Sequence, residues 1–226
     1  MDSRLPKVWE EFLKSEINFK QFYQELDHFL AEFAQIIPKN ELVFNLFENV
    51  SPENITCILL GEDPYPRINS ANGIAFWDQE ILTWDTKSSG NSLKNMLAAL
   101  SITKGFATYH TNIETLRILV KQNQFPSPNE LFQNWLNQGV FLLNTSLTFS
   151  SKEDKKQHLK FWKPFISLII QKLVKEKNPY LVLWGNTAQT WLKMDCLENY
   201  DSGKVFCNGH PTYKHQFLNA EEPNDS

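Results

Sequence analysis

Residues 58–67 read ILLGEDPYPR, an apolar run that ends in a glycine, two carboxylates and two prolines around a tyrosine. An apolar run bounded in this way is typical of a buried strand that leaves a sheet. Open α/β folds place their active sites at the carboxyl ends of such strands. Asp63 would stand there on a backbone stiffened by Pro64 and Pro66, where it can orient a water molecule or face a developing positive charge. The alternative is that Asp63 only caps a turn, because Asp-Pro is common in turns.

The rest of the chain alternates predicted strands and helices. Apolar runs predict strands at residues 55–60, 140–144, 180–184 and 204–207. Helical spacing predicts one or two helices within 7–33, and others at 41–47, from an Asn91 or Ser92 cap, from a Ser127 cap to Gly139, at 157–175 and at 186–194. Residues 101–124 are ambiguous. This alternation predicts one α/β domain over residues 1–219, with a central, mostly parallel four-stranded sheet and helices on both faces. Residues 220–226 are predicted to be a disordered tail.

Composition narrows the function classes. A chain of 226 residues with 42% hydrophobic and 21% charged residues is long enough for one globular domain with a sizeable core. No apolar run reaches transmembrane length, and the first residues do not form a signal peptide, so we expect a monomeric cytoplasmic protein, or a nuclear one in a eukaryotic or viral setting. Three widely spaced cysteines argue against a disulfide scaffold, a zinc site or an iron–sulfur site, and they favour a reducing compartment. The net charge of -4 gives no sign of the basic face that nucleic-acid binders usually carry.

The four predicted strands all end in polar tips. These tips are Gly61-Glu62-Asp63, Asn144-Thr145, Gly185-Asn186 and Gly209-His210. Because the carboxyl ends of parallel strands meet at one edge, we expect these side chains to converge.

The converging side chains suit a planar heterocycle. The Asn144 amide offers a donor and an acceptor side by side, which matches the edge of a pyrimidine. Phe76 can stack on a ring face, and His210 can donate a hydrogen bond to a developing oxyanion. Taken singly, each residue has a plainer interpretation: Asn144 as a turn residue, Phe76 as a core residue and His210 as a loop histidine.

Several motifs then occur in one order along the chain. They are GEDPYP at 61–66, GIAF at 73–76, NSLKN at 91–95, QGVFLLNT at 138–145, LWGNTAQ at 183–189 and HPT at 210–212. Together, over about residues 55–212, they resemble the family 1 uracil-DNA glycosylases. The resemblance implies that Asp63 stabilises a sugar cation and positions water, and that His210 donates to the uracil oxygen. It also implies that Asn144 reads the uracil edge, Phe76 stacks on the ring, and Tyr65 fills the space of a thymine methyl.

The resemblance further implies a partner, uracil-containing DNA, from which the target nucleotide is flipped out. The resemblance implies no metal and no cofactor. Glu62 would lie beside the uracil oxygen and a phosphate; the alternative is that its side chain points to solvent and only its backbone amide is used. The hydroxyls expected to hold phosphates are those of Ser92, Thr187 and Thr212. Tyr213 and Lys214 would belong to the loop that intercalates into the duplex.

Some positions depart from the family pattern. The usual Gln is Glu62, the usual His after the tyrosine is Pro66, and the intercalating Leu falls at Lys214, with Tyr213 or Phe217 as candidate replacements. The prolines of the phosphate loop are replaced by residues 89–91. Without the apolar wedge, single-stranded DNA is the expected preferred substrate. Two rival hypotheses remain at this point: a non-catalytic DNA-binding or scaffold protein on the same fold, and a glycosylase with a different base preference.

Overall fold

The structure, a computed structural model, describes residues 4–87 and 90–218. The predicted tail at 220–226 and Ser89 of the phosphate loop lie outside the described residues. Among the described residues, no helix combines the length and the apolarity needed to cross a membrane.

A sheet of four parallel strands forms the centre of the described chain. The strands are β1 (Cys57–Gly61), β2 (Val140–Asn144), β3 (Tyr180–Trp184) and β4 (Val205–Asn208), in the order β2-β1-β3-β4. This confirms the predicted α/β fold with a parallel sheet. The second and third strands have the predicted bounds, whereas β1 begins two residues later and β4 is shifted by one residue.

The register of the sheet brings the strand ends together. Gly61 pairs with Asn144, and Trp184 pairs with Asn208, so the last residues of all four strands lie along one edge. Consecutive residues of β1 and β2 are buried, including Ile58, Leu59 and Phe141. Since successive side chains of a strand point to opposite faces, both faces of the sheet are covered, as predicted.

Nine α-helices surround the sheet within the described ranges. They are α1 (Lys7–Leu13), α2 (Phe19–Ala31), α3 (Asn45–Asn49), α4 (Asn91–Thr103), α5 (Ile113–Gln122), α6 (Pro128–Asn137), α7 (Lys155–Lys177), α8 (Asn186–Gln189) and α9 (Lys214–Phe217). The ambiguous region 101–124 divides into the end of α4 and the whole of α5. Helix α5 begins after Asn112, whose side chain accepts a hydrogen bond from the Thr115 N–H.

The start of α6 has the predicted cap, whereas the start of α4 does not. The capping box at α6 is confirmed, because Ser127 and Glu130 bond to each other's backbone N–H groups. The predicted side-chain cap of α4 is wrong, since Gly90 occupies the cap position and no side chain bonds there. The hydroxyl of Ser92 lies instead 2.8 Å from that of Thr212.

Two predicted helices are shorter than expected. Residues 41–47 form a 3-10 turn (Asn40–Leu42) followed by the short α3, so the predicted helix is displaced. In the region 186–194, the four residues of α8 continue as a 3-10 turn (Thr190–Lys193). Helical spacing in the sequence therefore does not by itself fix the length of a helix, because most helical stability in proteins comes from tertiary packing.

Aromatic side chains fill much of the core. Trp9 stacks on Phe141 of β2, with ring centroids 5.1 Å apart, and meets Phe47 edge-on at 5.0 Å. Phe22 stacks on Phe165 of α7 at 4.8 Å. The aromatic spacing in residues 7–33 therefore reflects the core, and this packed base supports the strand ends that carry the polar tips.

Candidate active site

A cavity of about 200 Å³ opens at the carboxyl edge of the sheet. It is smaller than the roughly 300–1,000 Å³ pockets that hold drug-sized ligands, which suits a single small ring. Its lining consists of Gly61, Glu62, Asp63, Pro64, Tyr65, Pro66, Phe76, Ser92, Asn144 and His210. The structure thus brings together all six residues predicted for catalysis and base binding, together with Ser92. Among the described residues there is no cluster of three or more His, Cys, Asp or Glu side chains suited to a metal ion.

The loop that carries the two carboxylates is fixed to the end of β2. The Thr145 N–H donates to the Gly61 carbonyl at 3.0 Å, and the Ser146 N–H donates to the Glu62 carbonyl at 2.9 Å. The Thr145 hydroxyl donates to the same Glu62 carbonyl at 2.9 Å. Three bonds across adjacent strands therefore hold the backbone immediately before Asp63.

Asn144 forms the floor of the cavity. Its side chain is buried and makes no hydrogen bond to any described residue. A buried polar group left unpaired costs about 1–3 kcal/mol, and such an exception in a folded protein calls for an explanation. A ligand edge that offers one acceptor and one donor would satisfy this amide.

Gly61 makes room for the Asn144 amide. A Cβ atom at position 61 would lie 2.4 Å from Asn144 Oδ1 and 2.7 Å from the Ala75 Cβ atom. Both distances are far below van der Waals contact, so only glycine leaves the amide in its observed place. The glycine that ends the apolar run in the sequence is therefore part of the site.

Phe76 and Tyr65 form one wall. Phe76 has a φ of 64°, a left-handed conformation that is uncommon outside glycine and is often found at functional sites. Its ring meets Trp184 edge-on at 5.5 Å, and its carbonyl accepts a hydrogen bond from the Tyr65 hydroxyl at 3.2 Å. The segment between Tyr65 and Phe76 is closed by an ion pair of 2.6 Å between Arg67 and Asp78. Burial raises the pKa of Tyr65 to about 12, so this hydroxyl stays neutral.

His210 lies on another wall, in the loop after β4. Its Nδ1 accepts a hydrogen bond from the Thr212 N–H at 3.2 Å. In the neutral ring this bond assigns the proton to Nε2, which is then available to donate to a ligand. Burial lowers the pKa of His210, although the nearby Glu62 carboxylate acts in the opposite direction. The imidazole is therefore a neutral donor at pH 7.

Lys155, the first residue of α7, was not predicted as a site residue. Its Nζ lies 3.0 Å from Glu62 Oε1 and 3.0 Å from Asp63 Oδ2. Burial raises the pKa of Asp63 and Glu62 adds to the rise, whereas Lys155 opposes both. The Asp63 carboxylate thus pairs with a side chain from a distant helix, and it does more than cap a turn. In the sequence, Lys155 lies in the mixed-charge run KEDKK at 152–156, which carries no signal that separates it from a solvated helix start.

The predicted phosphate-binding residues fall into two places. Ser92 and Thr212 share a contact between their hydroxyls, and the Asn95 amide donates to the Pro211 carbonyl at 2.6 Å, so the start of α4 is joined to the loop after β4. Thr187 does not line the same cavity. It borders a neighbouring cavity of about 500 Å³ together with Lys163 and Lys193.

The predicted intercalation loop has one projecting aromatic residue. Tyr213 is 53% exposed, whereas Phe217 is buried, so Phe217 cannot be the replacement wedge. Lys214 is held back, because its Nζ donates to the Tyr109 carbonyl at 2.6 Å and lies 4.8 Å from the centre of the Tyr109 ring.

Comparison with known proteins agrees with this geometry. A model of the uracil DNA glycosylase superfamily matches residues 47–224. The uracil-DNA glycosylase of Exiguobacterium sibiricum is 31% identical over 187 residues, covering 81% of this chain and 74% of the relative. That of Bacillus cereus is 33% identical over 200 residues, covering 87% and 78%. In its fold, the chain is similar to the crystal structure of wild-type UNG from Nitratifractor salsuginis, with a TM-score of 0.77, 24% identity and coverage of 93% and 86%. The chain therefore belongs to the uracil DNA glycosylase superfamily.

Proposed function

We propose that this protein is a base-excision repair enzyme that hydrolyses the N-glycosidic bond between uracil and deoxyribose in DNA. The observation that carries the proposal is the buried, unpartnered amide of Asn144 on the floor of a cavity walled by Asp63 and His210. Membership of the superfamily supports the same reaction.

Recognition requires the nucleotide to leave the base stack, because its glycosidic bond is inaccessible inside a duplex. Once uracil is in the cavity, the Asn144 amide accepts from the uracil N–H and donates to the adjacent carbonyl. The Phe76 ring stacks on the base. The Tyr65 side chain occupies the space that the methyl group of thymine would need.

The bond then breaks with its electron pair passing to uracil, which leaves a cationic sugar. His210 donates from Nε2 to the uracil oxygen on which negative charge develops. Asp63, as the carboxylate, faces the cation and orients a water molecule. The water oxygen bonds to the sugar carbon, and the water proton passes by way of the Asp63 carboxylate to the uracil anion, which gives free uracil and an abasic site.

DNA contacts away from the base use few charges. Ser92 lines the cavity and its hydroxyl contacts that of Thr212, so this pair can donate to a phosphate, and Thr187 can hold another. Such contacts position the strand without reading its sequence. With a net charge of -4, the protein depends on these local contacts.

A purely non-catalytic scaffold is not favoured. A scaffold has no need of a carboxylate, a neutral imidazole donor and an unpaired amide around one small cavity, and no separate feature of the described residues supports that role.

The test is an excision assay on single-stranded and duplex oligonucleotides that carry one uracil, with the parent and Asp63→Asn. The parent should release uracil and leave alkali-labile sites, and the variant should be strongly impaired. Binding of both oligonucleotides without release of uracil by the parent would contradict the proposal and support the scaffold.

Base selectivity should follow Asn144 and Tyr65. Asn144→Asp is expected to admit cytosine, because a protonated carboxyl edge can match the cytosine amino group. Tyr65→Ala is expected to admit thymine by vacating the methyl space. Release of each base from matched oligonucleotides measures both effects.

Tyr65→Phe is the matched control for the thymine result. It removes only the hydroxyl that bonds to the Phe76 carbonyl, so it should keep thymine excluded. If Tyr65→Phe and Tyr65→Ala admit thymine equally, support of the Phe76 loop, and not the filled space, would be the cause of selectivity.

Strand preference should depend on Tyr213. Flipping from a duplex costs a few kcal/mol, and Tyr213 is the exposed aromatic side chain of the predicted intercalation loop, so we expect it to fill the gap. Tyr213→Ser should therefore raise the ratio of single-stranded to duplex excision by about tenfold. Tyr180→Ser, at a similarly exposed tyrosine on β3, is the control and should leave the ratio unchanged. An unchanged ratio in Tyr213→Ser would assign the wedge to another residue.

A further inference from the structure

We propose that Lys155 is a positioning residue that neutralises the additional carboxylate of Glu62 and holds Asp63 in its ionised form. The inference rests on the proposed excision reaction, in which Asp63 acts as a carboxylate. It assigns a role to the one cationic side chain that contacts both carboxylates among the described residues.

The contact geometry supports positioning. One ammonium group lies 3.0 Å from an oxygen of each carboxylate, which is the distance of a charge-assisted hydrogen bond. All three side chains are partly buried, so solvent screens the ion pairs less than it would at an open surface. The ammonium therefore restrains Glu62 and Asp63 relative to each other and to α7.

The charge count supports neutralisation. The charged or titratable side chains that line the cavity or contact Asp63 are Glu62, Lys155, His210 and Tyr65. His210 and Tyr65 are neutral at pH 7, so two carboxylates and one ammonium leave a single negative charge. Without Lys155, a second negative charge would face both the uracil anion and the DNA phosphates.

The position of Lys155 in its helix is a separate indication of function. A cation at the N-terminus of a helix is unfavourable, because that end of the helix carries a partial positive charge. Lys155 nevertheless opens α7, and the bonds to Glu62 and Asp63 outweigh the effect of burial and raise the pKa of its ammonium. Lys155 thus differs from Lys156, the next residue of the helix, in having two carboxylate partners.

The pH dependence has a definite sign. Lys155 acts to lower the pKa of Asp63, and Glu62 acts to raise it. Removing Lys155 therefore raises the pKa of Asp63, and activity that needs the carboxylate is lost at a higher pH as the solution is acidified. Removing the charge of Glu62 has the opposite effect.

The experiment compares the parent with Lys155→Ala, Lys155→Arg, Glu62→Gln, the double variant Lys155→Ala/Glu62→Gln, and the control Lys156→Ala. Lys156 is the exposed neighbour of Lys155 on the same helix. Two quantities are measured: the carboxyl pKa of Asp63 by ¹³C NMR, and kcat/KM for a uracil oligonucleotide from acidic to neutral pH.

Lys155→Ala should raise the pKa of Asp63, because the ammonium that opposes the rise is gone, and lower kcat/KM at pH 7 by about tenfold. Lys155→Arg should recover most of both, and Lys156→Ala should change neither. In the Glu62→Gln background the loss caused by Lys155→Ala should be several-fold smaller, because no second carboxylate is then exposed.

An unchanged pKa of Asp63 in Lys155→Ala, or an equal loss with and without Glu62, would overturn the proposal. The NMR titration does not require activity. A parent that fails to excise uracil would therefore contradict the proposed function, while the titration would still test the role of Lys155.

Discussion

Asp63→Asn is expected to lower kcat for uracil excision by about 10²–10³-fold while leaving the fold and DNA binding nearly unchanged. The amide has the shape of the carboxylate but carries no negative charge to face the sugar cation, and it cannot accept a proton from water. Lys155 keeps its bond to Glu62, so its ammonium does not lose every partner. Single-turnover rates with saturating enzyme isolate this chemical step.

Asp195→Asn, on an exposed turn, is the control for the change of an aspartate to an amide elsewhere. It should excise uracil at the parental rate. If Asp63→Asn also does so, Asp63 has no catalytic role, whatever its place in the cavity.

The second large effect is expected for His210→Leu, with a loss of about 10²–10³-fold in kcat, typical of removing one preorganised donor. Leucine retains apolar volume against Gly185, whose backbone lies directly against the imidazole, but it offers no Nε2–H to the leaving base. The rate should fall while uracil-containing DNA still binds.

His210→Asn provides a matched comparison, since its amide retains a donor of shorter reach. It should fall between the parent and His210→Leu in single-turnover rate. If the leucine variant retains the parental rate, charge on the leaving base is stabilised by another group and the mechanism proposed here is incorrect.

The parts of the site that were foreseen share a physical origin. Asn144 and Gly61 end buried apolar runs, and parallel pairing brings such ends to one edge without further information. The predicted bounds of β2 and β3 are correct because a glycine interrupts one end of each apolar run: Gly139 precedes β2, and Gly185 follows β3. The start of α6 was predictable because Ser127 and Glu130, which contact each other, lie only three residues apart in the sequence.

The parts that were missed depend on contacts between distant segments. Lys155 meets Glu62 and Asp63 across more than ninety positions of the chain, and a lysine among other charges gives no local sign of this. The hydroxyl of Ser92, expected to cap α4, is drawn instead to Thr212. The retention of Lys214 by Tyr109 is likewise a tertiary contact that the loop sequence alone does not encode.

The close approach of Gly61 to Asn144 limits how this enzyme can be re-engineered. A library that varies the cavity walls can change Phe76, Tyr65 or Glu62, whereas every side chain at position 61 displaces the amide that selects the base. Discrimination of uracil therefore depends partly on the absence of a Cβ atom at position 61. Design of altered selectivity should keep position 61 fixed and diversify the residues around it.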